Sequence, residues 1–397
     1  MPRESGLFKC QVVLLDNSTF TTSFEKRKET KGKELLRRVC IELNIPPRDQ
    51  GYFGIQSTKW EDGALSWLEM EKDLRSQFLK LTGFQFAVRF YPRNIDLLSE
   101  ISRELLCLQV KDSIIRGKFL KPVSIDQQAV LDSYFAQLKL GDYDSKKNSK
   151  GYLVRENSRF FVPPNGLNSD GEINESDYEE IVKKMHKKLI GESPARAGNR
   201  FLRAAESIPF YGICTHHGAT DENGNSIVIG CCNRGLIFYE GKPDGEPGKL
   251  LSEFEWHEVI GARQHEQKLH ILSLNNKEKV GEKLTFYFHG VFGHTSAKRV
   301  LKDLIAHQRL FDQSENLVGG YTRPRLFSIG RTIKRSLNRK RNATFDVKSN
   351  RRQSMFGRVK SSLKRRISGA ELNEIDETKQ SYRASVITVE ECLEDNV

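Results

Sequence analysis

Between Tyr211 and Gly235 the chain reads YGICTHHGATDENGNSIVIGCCNRG, which brings Cys214, His216, His217, Cys231 and Cys232 close together in sequence. Thiolates and imidazoles are the side chains zinc accepts. The chemistry depends on what carries them. Two short strands would point neighbouring side chains to opposite faces. Cys231 and Cys232 could not then reach one ion together, nor could His216 and His217, and no C-x2-C knuckle holds thiolates side by side. The reading is of small strand residues and sheet-surface histidines, with no metal and no cofactor. A calcium loop fails on the same stretch. Asp221, Asn223 and Asn225 stand at ligand spacing, but Ser226 replaces the required glycine and Cys232 the closing glutamate. A hairpin turn is expected instead.

Catalytic patterns are missing. PDGEPGKL ends in Gly248-Lys249, yet Pro243 stands where a phosphate loop needs its first glycine, and Leu250 where it needs Ser or Thr. No G-x-S-x-G is present, and no cysteine precedes a glycine-rich phosphate cradle. The chain reads as a non-enzyme.

Its 397 residues exceed what one core usually organises, so several units are expected. Seven cysteines show no framework spacing, the first residues lack an apolar leader, and no uninterrupted apolar run reaches membrane length. These features suggest free thiols in a reducing compartment. The net charge of +12 is uneven. Residues 321 to 368 hold sixteen Lys and Arg against Asp346 alone, and the last 29 residues hold eight acids against Lys379 and Arg383. The basic character therefore belongs to a tail, and the body is nearly neutral.

Three patterns follow one another along the body. In 7–92, Phe8, Cys10, Val12 and Leu14 alternate as a strand, and Asp16-Asn17-Ser18 signals a turn. Thr30 is placed to cap a helix carrying Leu35, Leu36, Val39, Cys40 and Leu43. GFQFAVRFYP puts Phe84, Phe86, Val88 and Phe90 on one strand face, with Gln85 and Arg89 on the other. Such a mixed sheet clasping a helix is the ubiquitin-like arrangement. In 95–206 the period becomes helical, with capping signals at Ser124, Ser176 and Ser193-Pro194, and a closing Gly191. This is a helical bundle with a long polar loop near 142–174. In 207–312 seven short strands precede one helix with Val300, Leu301, Leu304, Ile305, Gln308 and Phe311 on its core side. That is the outline of a pleckstrin-homology-like sandwich.

This order of units resembles the FERM domain of the band 4.1 superfamily. KGKELLRRVCIELNI, QGYFGIQ, RNIDLLSEISRELLCLQVKDSIIRGKF, LKLGDYDS and SIPFYGICTHHGATDENGNSIVIGCCNRGLIFYEG are similar to that family's lobes, in order, over roughly 7–312. The resemblance implies an α+β, three-lobed clover: ubiquitin-like, acyl-CoA-binding-protein-like and pleckstrin-homology/PTB-like lobes. A largely disordered basic tail, 313–397, is similar to the FERM-adjacent region. Actin- and spectrin-binding segments found later in some members have no counterpart.

The resemblance also implies that the third lobe's groove receives cytoplasmic tails of transmembrane proteins. The groove residues would be Ile260, Ala262, Gln264, Lys298, Lys302 and Ile305, with the strand over 259–265 offering an edge for strand addition. It implies phosphoinositide binding between the first and third lobes, at Lys72, Lys277 and Lys279. In the tail, Leu326, Ile329, Ile333 and Leu337 form one apolar stripe beside Arg331, Lys334 and Arg335. Phe356, Val359, Leu363 and Ile367 form another beside Arg358, Lys360 and Lys364, and Lys364, Arg365 and Arg366 are expected lipid contacts. Basic amphipathic segments suit anionic inner-leaflet lipid or calmodulin. Ser354 and Ser368 follow arginines as basophilic kinases prefer, and Ser328 and Ser336 lie beside the first stripe. Asp395-Asn396-Val397 has the form of a PDZ ligand. The expected function is a phosphorylation-regulated, non-catalytic adaptor at the cytoplasmic face of the plasma membrane and its cytoskeleton, including cell junctions. The alternatives are a nucleic-acid binder acting through the tail, disfavoured by few aromatics, and a FERM phosphatase lacking its catalytic domain.

Overall fold

The computed structural model describes residues 6–25, 29–59, 65–78, 81–119, 123–148, 151–153, 161, 175–275 and 280–319. All the described residues belong to one compact unit, Met1–Arg323, and the remainder of the chain is Pro324–Val397. That remainder lies wholly outside the described residues, and with it the tail's stripes, serines and C-terminal motif.

The first lobe opens with the hairpin β1 (Leu7–Val13) and β2 (Thr19–Glu25). Asn17 turns it with φ 69°, a left-handed conformation that Asn tolerates better than most residues. Cys10 and Val12 are buried while Lys9 and Gln11 are exposed, so the alternation was read correctly. Helix α1 (Gly32–Glu42) buries Leu35, Val39 and Cys40. Thr30 does not cap it. Lys31 occupies the N-cap with no side-chain bond, and the Thr30 carbonyl instead accepts from the Leu74 amide. Strands β3 (Phe53–Lys59) and β4 (Leu65–Trp67), helix α2 (Leu74–Phe78) and strand β5 (Leu81–Val88) complete the lobe. The sheet order is β2-β1-β5-β3-β4, with β1 and β5 parallel, as a β-grasp requires.

Among the described residues the second lobe holds the helices α3 (Glu100–Ile115), α4 (Ile125–Leu140), α5 (Glu175–Lys187) and α6 (Pro194–Ala205). Side chains of Ser99, Ser124 and Ser193 accept from backbone amides three residues on, which satisfies donors the first turn leaves orphaned. Ser176 is no cap, because α5 already begins at Glu175. Helix α6 buries Phe201 and Leu202 fully, each worth about 1.5–3 kcal/mol. An ion pair is hidden among these helices. Lys111 and Asp132, both fully buried, pair with each other, and the Tyr178 hydroxyl donates to Asp132 Oδ2 at 2.9 Å. A helical period does not reveal this pair, because both residues interrupt otherwise apolar faces.

The third lobe is an antiparallel sheet of seven strands: β6 (Cys214–Thr220), β7 (Ser226–Cys231), β8 (Gly235–Gly241), β9 (Pro247–Glu255), β10 (Val259–His265), β11 (Lys268–Asn275) and β12 (Val280–Phe288). Their order is β10-β11-β12-β6-β7-β8-β9, which leaves β10 and β9 as edges. Gly235 is obligatory, since a Cβ there would lie 1.9 Å from the Phe254 carbonyl oxygen. Helix α7 (Gly293–Gly319) covers the core with Ala297, Val300, Leu304 and Phe311. Among the described residues no helix is long and apolar enough to cross a membrane.

Candidate functional site

The groove begins with the edge. Among the described residues strand β10 pairs with β11 on one side only, closed by a two-residue turn in which Glu266 has φ 52°. His265 faces Lys268, Arg263 faces His270, and Ala262 faces Ile271. Antiparallel pairs alternate between bonded and unbonded, so a bonded His265–Lys268 closing pair turns the peptide groups of Gln264 and Ala262 outward. A register shift between Val259 and Gly261 sets Ile260 at a bulge. The outward donors and acceptors thus line the lip facing solvent beside α7.

Helix α7 supplies the other wall. The Ala262 side chain packs on the core, and Ile260 and Ile305 are half-buried. Gln264 donates to the Glu266 carbonyl and lies 3.0 Å from His294 Nδ1, closing the end near the start of α7. Gln308 donates to the Val259 carbonyl at 3.4 Å and ties helix to strand at the other end. Lys298 is exposed on the rim.

Lys302 is engaged on the side of α7 that meets the first lobe. Its Nζ lies 2.9 Å from Glu69 Oε1, across the cleft to the first lobe. Its neighbour Leu301 faces the core, and one helical residue turns the next side chain about 100° away. Lys72 reaches the same Glu69 oxygen at 2.8 Å. Burial pushes the Glu69 carboxyl up, but hydrogen bonds from Lys72 and Lys302 outweigh it and hold its pKa below the usual range. The two lysines share one carboxylate, leaving a single net positive charge. Lys277 and Lys279 lie outside the described residues, as do Arg331, Lys334, Arg335, Lys364, Arg365, Arg366, Ser328, Ser336, Ser354 and Ser368.

A buried polar cluster sits where the first lobe meets the third. Arg89, just past β5, holds Asp303 Oδ1 at 3.3 Å, while His216 Nε2 stands 3.6 Å from Asp303 Oδ2. His216 Nε2 is also 3.8 Å from Cys214 Sγ. His307 packs edge-on against Phe90 at 4.7 Å and stacks on Trp256. Burial lowers the pKa of His216 and His307 to about 4, and it raises Cys214 to about 12. Burial also raises Asp303, against the pull of Arg89. Both histidines are therefore neutral, and Asp303 is committed to the guanidinium.

His217 is exposed, as a sheet-surface histidine should be. His216 is not, for its side chain is only 9% exposed. The alternation argument correctly separated His216 from His217. It overlooked that Cys214 and His216, two apart, share a face, and that α7 brings a carboxylate to that face. Asp303 and His307 could have been noticed as polar residues at the core spacing of Val300, Leu304 and Phe311.

Family profiles match in the order of the lobes: the FERM N-terminal domain over residues 12–80, the FERM central domain over 93–216 and the FERM C-terminal PH-like domain over 221–317. The chain is 32% identical over 310 residues to human Band 4.1-like protein 3, a match covering 76% of this chain and 26% of that protein. It is 31% identical over 305 residues to canine Protein 4.1, covering 76% and 34% respectively. The match therefore spans about a quarter to a third of these relatives' length. Among solved structures, the complex of the FERM and C-terminal domains of Drosophila Merlin shares the fold with a TM-score of 0.64 at 22% identity, covering 77% of this chain and 97% of that one. A mutant of the MyTH4-FERM MF2 domain of Dictyostelium discoideum Myosin VII aligns with a TM-score of 0.54 at 17% identity, covering 77% and 61%.

Proposed function

We propose, for a chain that belongs to the band 4.1 superfamily of FERM-domain proteins, a role as a non-catalytic adaptor between membrane and cytoskeleton. It captures the cytoplasmic tails of transmembrane proteins as an added strand on β10. The observation that carries this reading is the unpaired edge at Ala262 and Gln264, set beside the apolar wall of α7. Backbone bonds to an added strand supply affinity, and alternate side chains entering the groove supply selectivity. Ile260, Ile305 and the rim residue Lys298 then read the ligand. Attachment to the anionic inner leaflet belongs to the same reading, through Lys72 with Lys277 and Lys279 and through the basic tail. Phosphate on Ser328, Ser336, Ser354 or Ser368 opposes it, each adding about −1.5 to −2 charges. Calmodulin and a PDZ domain are further partners of the tail.

The test is Ala262→Pro in the full chain, assayed against a panel of fluorescent cytoplasmic-tail peptides. Proline removes the outward amide and leaves the core bonds of β11 in place. A variant that melts like the wild type and loses tail binding at least tenfold supports strand addition. One that melts normally and binds every tail unchanged removes the mechanism.

A further inference from the structure

We propose that Cys214, His216 and Asp303 form a binding site for a zinc-class divalent cation, at the junction where the third lobe meets the first. The three donor atoms lie within 4.8 Å of one another. Tetrahedral zinc with sulfur, nitrogen and oxygen ligands at their usual bond lengths sets donors about 3.3–3.6 Å apart. The observed 3.8 Å from sulfur to imidazole and 3.6 Å from imidazole to carboxylate differ from that by only a few tenths of an ångström. The donor set is one borderline-soft zinc accepts, while the thiolate disfavours magnesium and calcium.

Three further observations support the site. Asp303 divides its oxygens, with Oδ1 on Arg89 and Oδ2 toward His216 and Cys214. A hydrogen-bonded partner on the second oxygen of a ligating carboxylate orients it, which is how metal sites are commonly buttressed. Both His216 and Asp303 are about nine-tenths shielded from solvent on their side chains. Cys231 stands directly opposite Cys214 in the β6–β7 register and is buried, so a fourth sulfur donor is one cross-strand neighbour away. On binding, the cation displaces the Cys214 thiol proton to solvent and takes the thiolate, the Asp303 carboxylate and the neutral His216 Nε2. Two negative ligands then balance the 2+ charge, and the ion adds no net charge beside the positive Arg89. Such an ion staples β6 to α7, whose Asp303 already holds the first lobe.

The test uses the full chain, stripped with chelator and titrated with Co2+. Binding is expected to give thiolate-to-cobalt absorption in the near ultraviolet, saturating at one equivalent and abolished by added Zn2+. Cys214→Ser and, independently, His216→Gln should lose that band at least tenfold in affinity. Cys40→Ser, at a buried cysteine of α1, should keep it. Zn2+ should also raise the melting temperature of the wild type and leave that of Cys214→Ser unchanged. The assignment fails if the stripped wild type shows no band, or if Cys214→Ser and His216→Gln both retain it. It fails equally if Cys40→Ser alone abolishes it.

Discussion

Where the first lobe adjoins the second, one buried apolar cluster runs from Cys10 through Phe86 and Leu106 to Ile208 without a break. The third lobe keeps a separate core around Phe238, Trp256 and Leu304. Beside the ring contact of Phe90 with His307, it meets the first lobe through defined polar bonds: Arg89 with Asp303, Lys302 with Glu69, and Arg93, just past that lobe, donating to the Asn233 carbonyl at 3.0 Å. Apolar contact is non-directional and tolerates small shifts. Buried charge pairs demand one geometry and cost heavily when half is removed. The first two lobes should therefore behave as one body. The third should be held in register by a few defined bonds, whose loss is felt singly.

The largest test of that contrast is at the buried pair. Arg89→Met or Asp303→Leu alone should destabilise the chain by about 3–5 kcal/mol, because each strands the partner's charge. Together they should recover most of the loss, since two apolar side chains replace a desolvated pair. Chelator in the melts keeps any ion from contributing. If the double variant is no better than the worse single one, the junction's specificity does not reside in this pair.

Leu106→Ala probes the other side. Leu106 is 1% exposed, and its truncation should cost about 2–5 kcal/mol with no rescuing partner substitution. Hydrogen exchange should rise in α3 and β5 together. Protection lost in α3 alone would split the first two lobes into separate bodies.

What could be read from the sequence follows this contrast. Phe84, Phe86, Val88 and Phe90 declared β5 because alternation is local, and the seven strands of the third lobe were bounded by turn signals equally local. That β10 is an edge was only a condition of the sequence reading, and the sheet order supplies it. The polar junction was not legible, because Arg89 and Asp303 are 214 residues apart and only the lobes' packing joins them. The bond of Lys302 to Glu69 was hidden for a related reason. A helical period gives the angle between neighbours, but not which neighbouring lobe each face meets. Thr30 and Ser176 had the residue types of caps, and the helices start two residues after one and one residue before the other.

Acid should erode the second lobe through His186. Its side chain is buried, with Nε2 at 2.9 Å from the Gly141 carbonyl and Nδ1 at 3.2 Å from the Tyr152 hydroxyl. Burial lowers its pKa against the pull of the Gly141 carbonyl and Asp142. The unfolded chain therefore binds this proton first. Stability is full above the ordinary histidine pKa of about 6.5 and falls as pH drops from there through the lowered value, by up to about 1.4 kcal/mol per pH unit. His186→Gln should reduce that slope in denaturant melts between pH 7 and 5, with His216 and His307, lowered to about 4, supplying the remainder. An unchanged slope would assign the acid sensitivity to other groups.

The smallest effect belongs to Lys302 and Glu69, and it separates the rim of the junction from its buried centre. Their side chains are 44% and 37% exposed, so water screens the pair and holding two long side chains together costs entropy. A double-mutant cycle on Lys302→Ala and Glu69→Ala should give a coupling of about 0.2–1 kcal/mol, shrinking further in molar salt. Lys72 shares the same Glu69 oxygen and should take up part of the loss. Because the Glu69 pKa is lowered, its contribution is complete above the ordinary carboxylate range and vanishes as pH falls through the lowered value. Tail-peptide binding should be indifferent to Lys302→Ala, since the side chain points into the cleft and away from β10. A coupling near that of Arg89 and Asp303 would mean the rim holds the third lobe as firmly as the centre. Lost peptide binding would return Lys302 to the groove.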